Sequence, residues 1–523
     1  MRRKEGNNSR KEEKKMRWMA VMIVVGMIFV NVFPSLAIDL DFGGGPIKIM
    51  GYTSQSAGFG ISGDHYDTKK GFQSGIFQGL LEVDYSPTRD LKFFISGKVN
   101  ADWSYAILRN NHDWDEKGFQ GSRDHLYIFG YWQDLLYECH ATWTPGDFLF
   151  RVGKQIVVWG ETDGFRLVDQ INPIDQRRGI GDVRFESTIL PIWLVRAEYN
   201  PPLKTSWLQS LNIQFIFNPN LSFRGNEAVI PGNDKMGIWA PNVEIPLGGP
   251  YPFDFAHLGS LNETIDAPDK YFDHNGFEYG LRLKSIMFDS IITLSVFYGR
   301  DNDRVSESLP IPPQIGVSPF DNRLIIHPAL KSYYPRFKFV GLTFTRDLEM
   351  IKSSFLGGVS PVLRLETLYG FDSTFATSIN TFDKSDEFRL ALGIDWKVKI
   401  PVLNAKAYFM ISPQFFYRRI IDYPSGYELS NNASLPPGLY KNNYQTSLFI
   451  NTTYFHNKLK PSFFWLYDIS NNAHMFRPEL AYEQSNQWLY ALGAILVQGE
   501  KIGKGFQVLE NKDQIYLTAT YRF

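Results

Sequence analysis

The chain has 523 residues, 44% hydrophobic and 21% charged, with a net charge of −1. That balance excludes a disordered chain and a bundle of continuous apolar helices. It gives no case for nucleic-acid binding.

Residues 1–17 carry eight Lys or Arg against three Glu, and a short apolar run follows over residues 18–33. Small residues at Ser35 and Ala37 predict cleavage after Ala37, so 1–37 reads as a secretory signal peptide, with Met16 as an alternative start. The other reading is an uncleaved anchor, but the run is shorter than the ~20 residues a spanning helix needs. No cysteine follows the cleavage site, which argues against lipoprotein processing. Removing the leader (8 minus 3) takes the net charge from −1 to −6. One cysteine, Cys139, cannot form an internal disulfide.

From residue 38 onward the recurring pattern is alternation with period two. Phe388, Leu390, Leu392, Ile394 and Trp396 oppose Glu387, Arg389, Asp395 and Lys397. Phe277, Tyr279, Leu281 and Leu283 oppose Glu278, Arg282 and Lys284, and Arg364 and Glu366 alternate with leucines. Phe93, Ile95 and Val99 oppose Lys92, Lys98, Asn100 and Asp102. A soluble sandwich also alternates. Aromatic residues at 15%, including 42 Phe and 27 Tyr, suit a lipid-facing or interfacial surface.

Connection lengths separate the two. Short turns are expected at 86–90, 144–147, 287–290, 456–458 and 484–486. Mostly longer connections fall between them, at 107–133, 160–192, 218–276, 300–333, 371–385, 418–443 and 499–513. That rhythm predicts an all-β, single closed transmembrane outer-membrane β-barrel over 38–523, with short periplasmic turns and long external loops. The count is about 18 antiparallel strands, with 16 as the other even number. The last strand, QIYLTATYRF, puts Ile515, Leu517, Ala519, Tyr521 and Phe523 on one face. Its terminal Phe523, with Tyr521 two places before, resembles the signal by which bacterial outer-membrane proteins are recognised for barrel assembly.

Apolar faces would then meet lipid, including lipopolysaccharide. The charged faces would line a wet lumen: Glu278, Arg282, Lys284, Arg364, Glu366, Glu387, Arg389, Asp395 and Lys397, with Glu82, Asp84, Lys92 and Lys98. A barrel of this size leaves room for water unless loops fill it. The connection at about 160–190 concentrates charge: Glu161, Asp163, Arg166, Asp169, Asp175, Arg177, Arg178, Asp182, Arg184 and Glu186. Two readings stand. It narrows the lumen as a charged constriction, or it is an external loop kept soluble by charge. Its Phe165, Leu167, Val168, Ile171, Ile174 and Ile180 favour inward packing. The 218–276 connection reads as a ligand-receiving lid or plug, or as a loop packed on its neighbours. Strict alternation places Lys154 on the lipid face, where a charge costs about 2–4 kcal/mol; a bulge at Gly153 would reset the parity, or Lys154 would lie at a subunit contact.

RVGKQIVVWGE, INPID and ILPIWLVRAEY resemble a porin-like family of unknown function in Gram-negative outer membranes. The likeness is carried over about 151–199 by Arg151, Gly153, Lys154, Gln155, Trp159, Gly160, Glu161, Asn172, Pro173 and Asp175, and more loosely by VGLTFTRDLE. It implies an outer-membrane barrel. Some members are thought to work with envelope exporters of hydrophobic compounds.

No histidine pair stands at metal spacing, and no phosphate loop, dinucleotide turn or nucleophile elbow occurs. No cofactor and no enzymatic chemistry are expected, although His140 near Asp134 is the one imaginable catalytic pair. The expectation is a porin-like channel for small solutes, handled by the barrel-assembly machinery. The alternative is a component that passes hydrophobic or lipid-like compounds to or from an inner-membrane transporter. No pattern specifies an oligomeric state.

Overall fold

A computed structural model describes residues 38–41, 44–62, 70–102, 135–160, 166–175, 188–203, 205–227, 243–259, 262–269, 271–318, 321–352, 357–430 and 438–523. The leader assigned to 1–37 lies outside them. Eighteen antiparallel strands form one closed barrel. The first nine are β1 Pro46–Gly60, β2 Gly71–Tyr85, β3 Leu91–Asp102, β4 Leu136–Trp143, β5 Phe148–Gln155, β6 Ile192–Tyr199, β7 Leu208–Asn218, β8 Glu278–Met287 and β9 Ser290–Arg300. The second nine are β10 Arg336–Asp347, β11 Val362–Thr377, β12 Phe382–Val398, β13 Phe409–Ile420, β14 Asn442–Asn451, β15 Leu459–Asp468, β16 Ala473–Glu483, β17 Trp488–Gly499 and β18 Gln514–Arg522.

Each strand pairs with the next, and β18 returns to β1 from Tyr52↔Arg522 to Gly60↔Gln514. Gly51 and Phe523 complete the seam, each amide donating to the other's carbonyl at 3.0 Å. Closure leaves no edge and pairs the backbone internally, the condition for crossing hydrocarbon.

Alternation decides which side chains face in. In β8, Tyr279 and Leu281 are exposed while Glu278 and Gly280 are buried. In β17, Tyr490 and Leu492 are exposed while Leu489, Ala491, Ile495 and Val497 are buried. Aromatic stacks gather beside several turns at the end of the barrel that carries Pro46 and Phe523. Phe148 stacks on Phe150 and Tyr199, Trp207 on Phe288, and Trp488 meets Tyr521. Such positions suit the apolar–polar boundary of a bilayer.

Two expectations need correction. The long connection expected at 371–385 is strand: β11 and β12 run on to a turn at 378–381. A bulge hides this in the sequence. Pairing jumps from Gly370↔Glu387 to Ser373↔Ser385, so Phe371 and Asp372 together oppose Asp386. Asp386 fills the bulge, accepting from the Asp372 amide at 3.0 Å and the Tyr369 hydroxyl at 2.8 Å. The length rhythm is also looser than expected, because the connections 200–207, 348–361 and 399–408 lie at the short-turn end while 469–472 is short at the other.

The second correction concerns Lys154. Pairing passes unbroken through Gly153 on both sides. The bulge is in β4 instead, where Ser96 faces Glu138, Gly97 faces Leu136, and Tyr137 is the extra residue. Gly153 does carry strain only glycine tolerates: its φ is +137°, and a Cβ there would lie 2.2 Å from the Cys139 carbonyl oxygen. Lys154 is only 7% exposed and donates from Nζ to the Leu136 carbonyl at 2.6 Å. The carbonyl beside the bulge thus draws the ammonium out of the outward apolar band.

Candidate functional site in the barrel lumen

Between β5 and β6 the described residues 156–160 and 166–175 pack against inward-facing side chains of the wall. Val157, Trp159, Leu167, Val168 and Ile171 form one apolar cluster with Ile216 of β7, Phe297 of β9, Phe337 and Phe339 of β10, Leu368 of β11, Ala391 of β12 and Phe416 of β13. Those wall residues alternate with the outward-exposed Phe215, Val296, Val340, Leu392 and Phe415, so they face inward. A Cβ at Gly341 would lie 2.9 Å from Val168 Cγ1, so the absent side chain gives the connection room against β10.

Polar anchors fix the segment. Trp159 Nε1 donates to Gln214 Oε1 at 2.6 Å, and Gln214 Nε2 donates to Glu198 at 2.8 Å. Asn172 ties the two limbs together. It accepts from the Val157 amide at 2.8 Å and donates to the carbonyls of Gln155 and Leu190 at 3.2 and 3.0 Å. Arg282 Nη1 of β8 reaches the Val158 carbonyl at 3.0 Å, and Asn302 donates to the Gln170 carbonyl at 2.6 Å.

The charges of this connection divide into two sets. Glu161, Asp163, Arg177, Arg178, Asp182, Arg184 and Glu186 lie outside the described residues. Of the other three, Arg166 and Asp169 brace the segment. Arg166 pairs with Asp169 at 3.1 Å and donates to the Asn172 carbonyl at 2.7 Å. Asp169 also accepts from the Trp159 amide at 3.1 Å. Asp175 is buried, and its amide donates to the Thr188 carbonyl at 2.7 Å.

The charged wall residues also meet partners. Glu387 is fully buried between Arg389 and Arg418, each 2.7 Å away, and accepts from the Ser373 hydroxyl at 2.9 Å. Arg364 pairs with Asp395 at 2.8 Å, and Ser412 bonds to the same carboxylate. Glu366 is buried beneath the inward segment and accepts from the Val168 amide at 3.4 Å. Glu278 accepts from the Arg300 amide at 3.1 Å and from Asn218 at 2.8 Å. Lys284 shares the inward register of β8, and Lys397 is exposed at the end of β12. Lys92 pairs with Asp84, and Lys98 lies 4.3 Å over the Tyr137 ring.

Arg418 was not among the expected residues. The alternation of Phe416, Arg418 and Ile420 against Phe415 and Tyr417 carries the signal, obscured by the adjacent Arg419. His140 stacks on Phe94 at 5.2 Å, while Asp134 lies outside the described residues. Among the described residues no group of three His, Cys, Asp or Glu could hold a metal.

Described parts of the connections 219–277 and 301–335 pair with each other. Glu244–Pro246, Phe255–Leu258, Leu324–His327 and Gln314–Val317 form a four-stranded sheet, and Asn262–Asp266, Ala329–Tyr333 and Val305–Ser308 a three-stranded one. Arg323 clasps Asp254 at 3.0 Å and Asp321 at 3.3 Å, and His257 bonds to Asp321 at 2.6 Å. Burial pushes the Asp321 carboxyl up, but hydrogen bonds from Ser318 and His257 outweigh it and hold it at about 2. Val508, from the 500–513 connection, packs against Val243, Leu258 and Leu330. The neighbouring Phe506 and Leu509 cover an inward apolar patch of Phe464, Leu466, Met475, Ile495 and Val497.

A family model described as "Protein of unknown function (DUF1302)" matches residues 51–523. The chain belongs to the DUF1302 family. No curated protein matches it. Among solved structures, this DUF1302 chain is similar to Pseudomonas aeruginosa OccK2 (OpdF) in complex with glucuronate, with TM-score 0.44, 8% identity, and coverage of 91% of this chain and 98% of that one. It is also similar to P. aeruginosa OccD3 (OpdP), with TM-score 0.43, 8% identity and 91% of each chain covered. For the outer membrane channel DcaP of Acinetobacter baumannii, the TM-score is 0.38, identity 10%, and coverage 93% and 100%.

Proposed function

We propose that this barrel is a porin-like channel of a bacterial outer membrane. It would pass small solutes through a charged, water-filled lumen narrowed by the 160–190 connection. The observation that carries this reading is the packing of Trp159, Val168 and Ile171 against the inward faces of β7 and β9–β11. A segment held on one side of a wide barrel reduces its bore without sealing it. Several inward positions on β1–β3 are small or polar, among them Ser54, Ser56, Ser74, Gln78 and Asn100, which suits water. Surrounding lipid, including lipopolysaccharide, would meet the outward faces, and the Tyr521–Phe523 end would serve barrel assembly.

Glu161, Asp163, Asp175, Arg177, Arg178, Asp182, Arg184 and Glu186 would add a field at the narrowing, with Arg166 and Asp169 holding the segment in place. Purified protein in planar bilayers should give steady conductance. Neutralising Glu161 and Asp163 together should shift the reversal potential in a salt gradient. A silent bilayer refutes the channel, and an unchanged reversal potential removes the constriction role.

A second reading is favoured by the inward patch of Phe464, Leu466, Met475, Ile495 and Val497. An apolar wall inside a barrel, here covered by Phe506 and Leu509, would suit hydrophobic or lipid-like cargo exchanged with an inner-membrane transporter once that cover moves aside. Uptake of a fluorescent hydrophobic dye by proteoliposomes, lost in Ile495→Asp but not in Arg364→Gln, would support it.

A further inference from the structure

The outward face of the barrel is not evenly convex. Across β3–β6 it carries a cavity of about 600 Å³ lined by Phe93, Ile95, Ala141, Val152, Trp193 and Val195, with the chain's single cysteine, Cys139, among them. These residues alternate with the inward Arg151 and Arg196, whose side chains pair with Thr142 and Glu198. The cavity therefore opens outward. Pro219 and Leu221, beyond the end of β7, close one side of it. Its position matches the local distortion of the wall. Tyr137 is the extra residue of the β4 bulge, and at Gly153 the strands approach so closely that no side chain fits.

We infer that this groove holds the acyl chain of a membrane phospholipid. The inference rests on the outer-membrane reading. The cavity is continuous with an outward apolar band that hydrocarbon would cover, and water in it would find almost no polar partner. Lys154, which shares the outward register of the groove, does not oppose this: it pairs across strands with Cys139 and Trp193, yet its ammonium is directed to the Leu136 carbonyl. A convex wall meets many lipids in exchange, whereas a recessed groove orders one chain and should hold it longer.

The test uses the full mature chain reconstituted in phosphatidylethanolamine–phosphatidylglycerol vesicles, extracted in mild detergent and weighed by native mass spectrometry. Wild type should retain one phospholipid. Val152→Trp, which fills the groove, should lose it. Leu492→Trp, on the outward face of β17, should keep it. Both variants are first checked for folding by heat-modifiable gel mobility. Absent lipid on wild type, or equal retention in the two variants, overturns the proposal. So does a Val152→Trp variant that changes only oligomeric mass, since the face is then a subunit contact. Flotation with the vesicles tests the membrane reading by itself. A chain that floats without retained lipid defeats the groove alone, and a chain that does not float defeats both.

Discussion

Trp159 donates its indole N–H to Gln214 Oε1 at 2.6 Å, joining the inward segment after β5 to the inner face of β7. Both groups are buried, so the bond has no water to replace it. Trp159→Phe keeps the ring and leaves the Gln214 oxygen unpaired, an expected loss of about 1–3 kcal/mol. Trp159→Ala also empties the space beside Phe297, an expected loss of about 3–5 kcal/mol. On the channel reading, single-channel conductance should rise in both, more in the alanine variant.

The Glu387 carboxylate lies between two guanidinium groups. Glu387→Gln removes the charge and leaves Arg389 and Arg418 facing each other, at a cost of about 3–5 kcal/mol. Adding Arg418→Met should recover part of that loss. Urea unfolding midpoints of the single and double variants measure both effects.

Leu492 is outward on β17. Leu492→Arg should cost about 2–4 kcal/mol in lipid, where Leu492→Ala costs less, because only the arginine places a charge in hydrocarbon. The comparison is made by unfolding from liposomes. Equal costs for the two variants would show that this face does not meet lipid.

Phe523 closes the seam through its paired hydrogen bonds with Gly51 and stands 6.4 Å from the Tyr521 ring. Deleting Phe523 should lower the folded fraction, scored by heat-modifiable mobility on gels. Phe523→Tyr should fold like wild type.

The sheets of the 219–277 and 301–335 connections should respond to acid through Asp321. Its folded value of about 2 lies below the ordinary 3.8. The contribution to stability is therefore complete above the ordinary value and lost as pH falls through the folded one. Cleavage of the 243–335 region by an acid protease should increase as pH drops from about 4 towards 2. Asp321→Asn should be cleaved readily across that range.

By itself the sequence determined the barrel. Period-two alternation in segments such as 278–284 and 387–397 assigns in and out because side chains of a strand must point to opposite faces. The final QIYLTATYRF shows the same two faces, and its outward Ile515 and Leu517 are exposed as the pattern requires. The charges of the candidate site were legible as residue types, but their partners were not.

Only the tertiary structure decided where irregular backbone goes and which charges meet. The bulge at Phe371–Asp372 breaks the alternation, so strand resembled loop until the pairing with β12 was seen. Arg166 and Asp169 resembled pore charges, yet they hold each other, because a segment packed against Phe297 and Phe339 must satisfy its own polar groups. Lys154 conflicted with the pattern until the neighbouring strand supplied the Leu136 carbonyl. For the bulge and for Lys154 the deciding partner is on another strand, and for Arg166 and Asp169 it is the distant wall that the segment packs on; local periodicity carries no information about either.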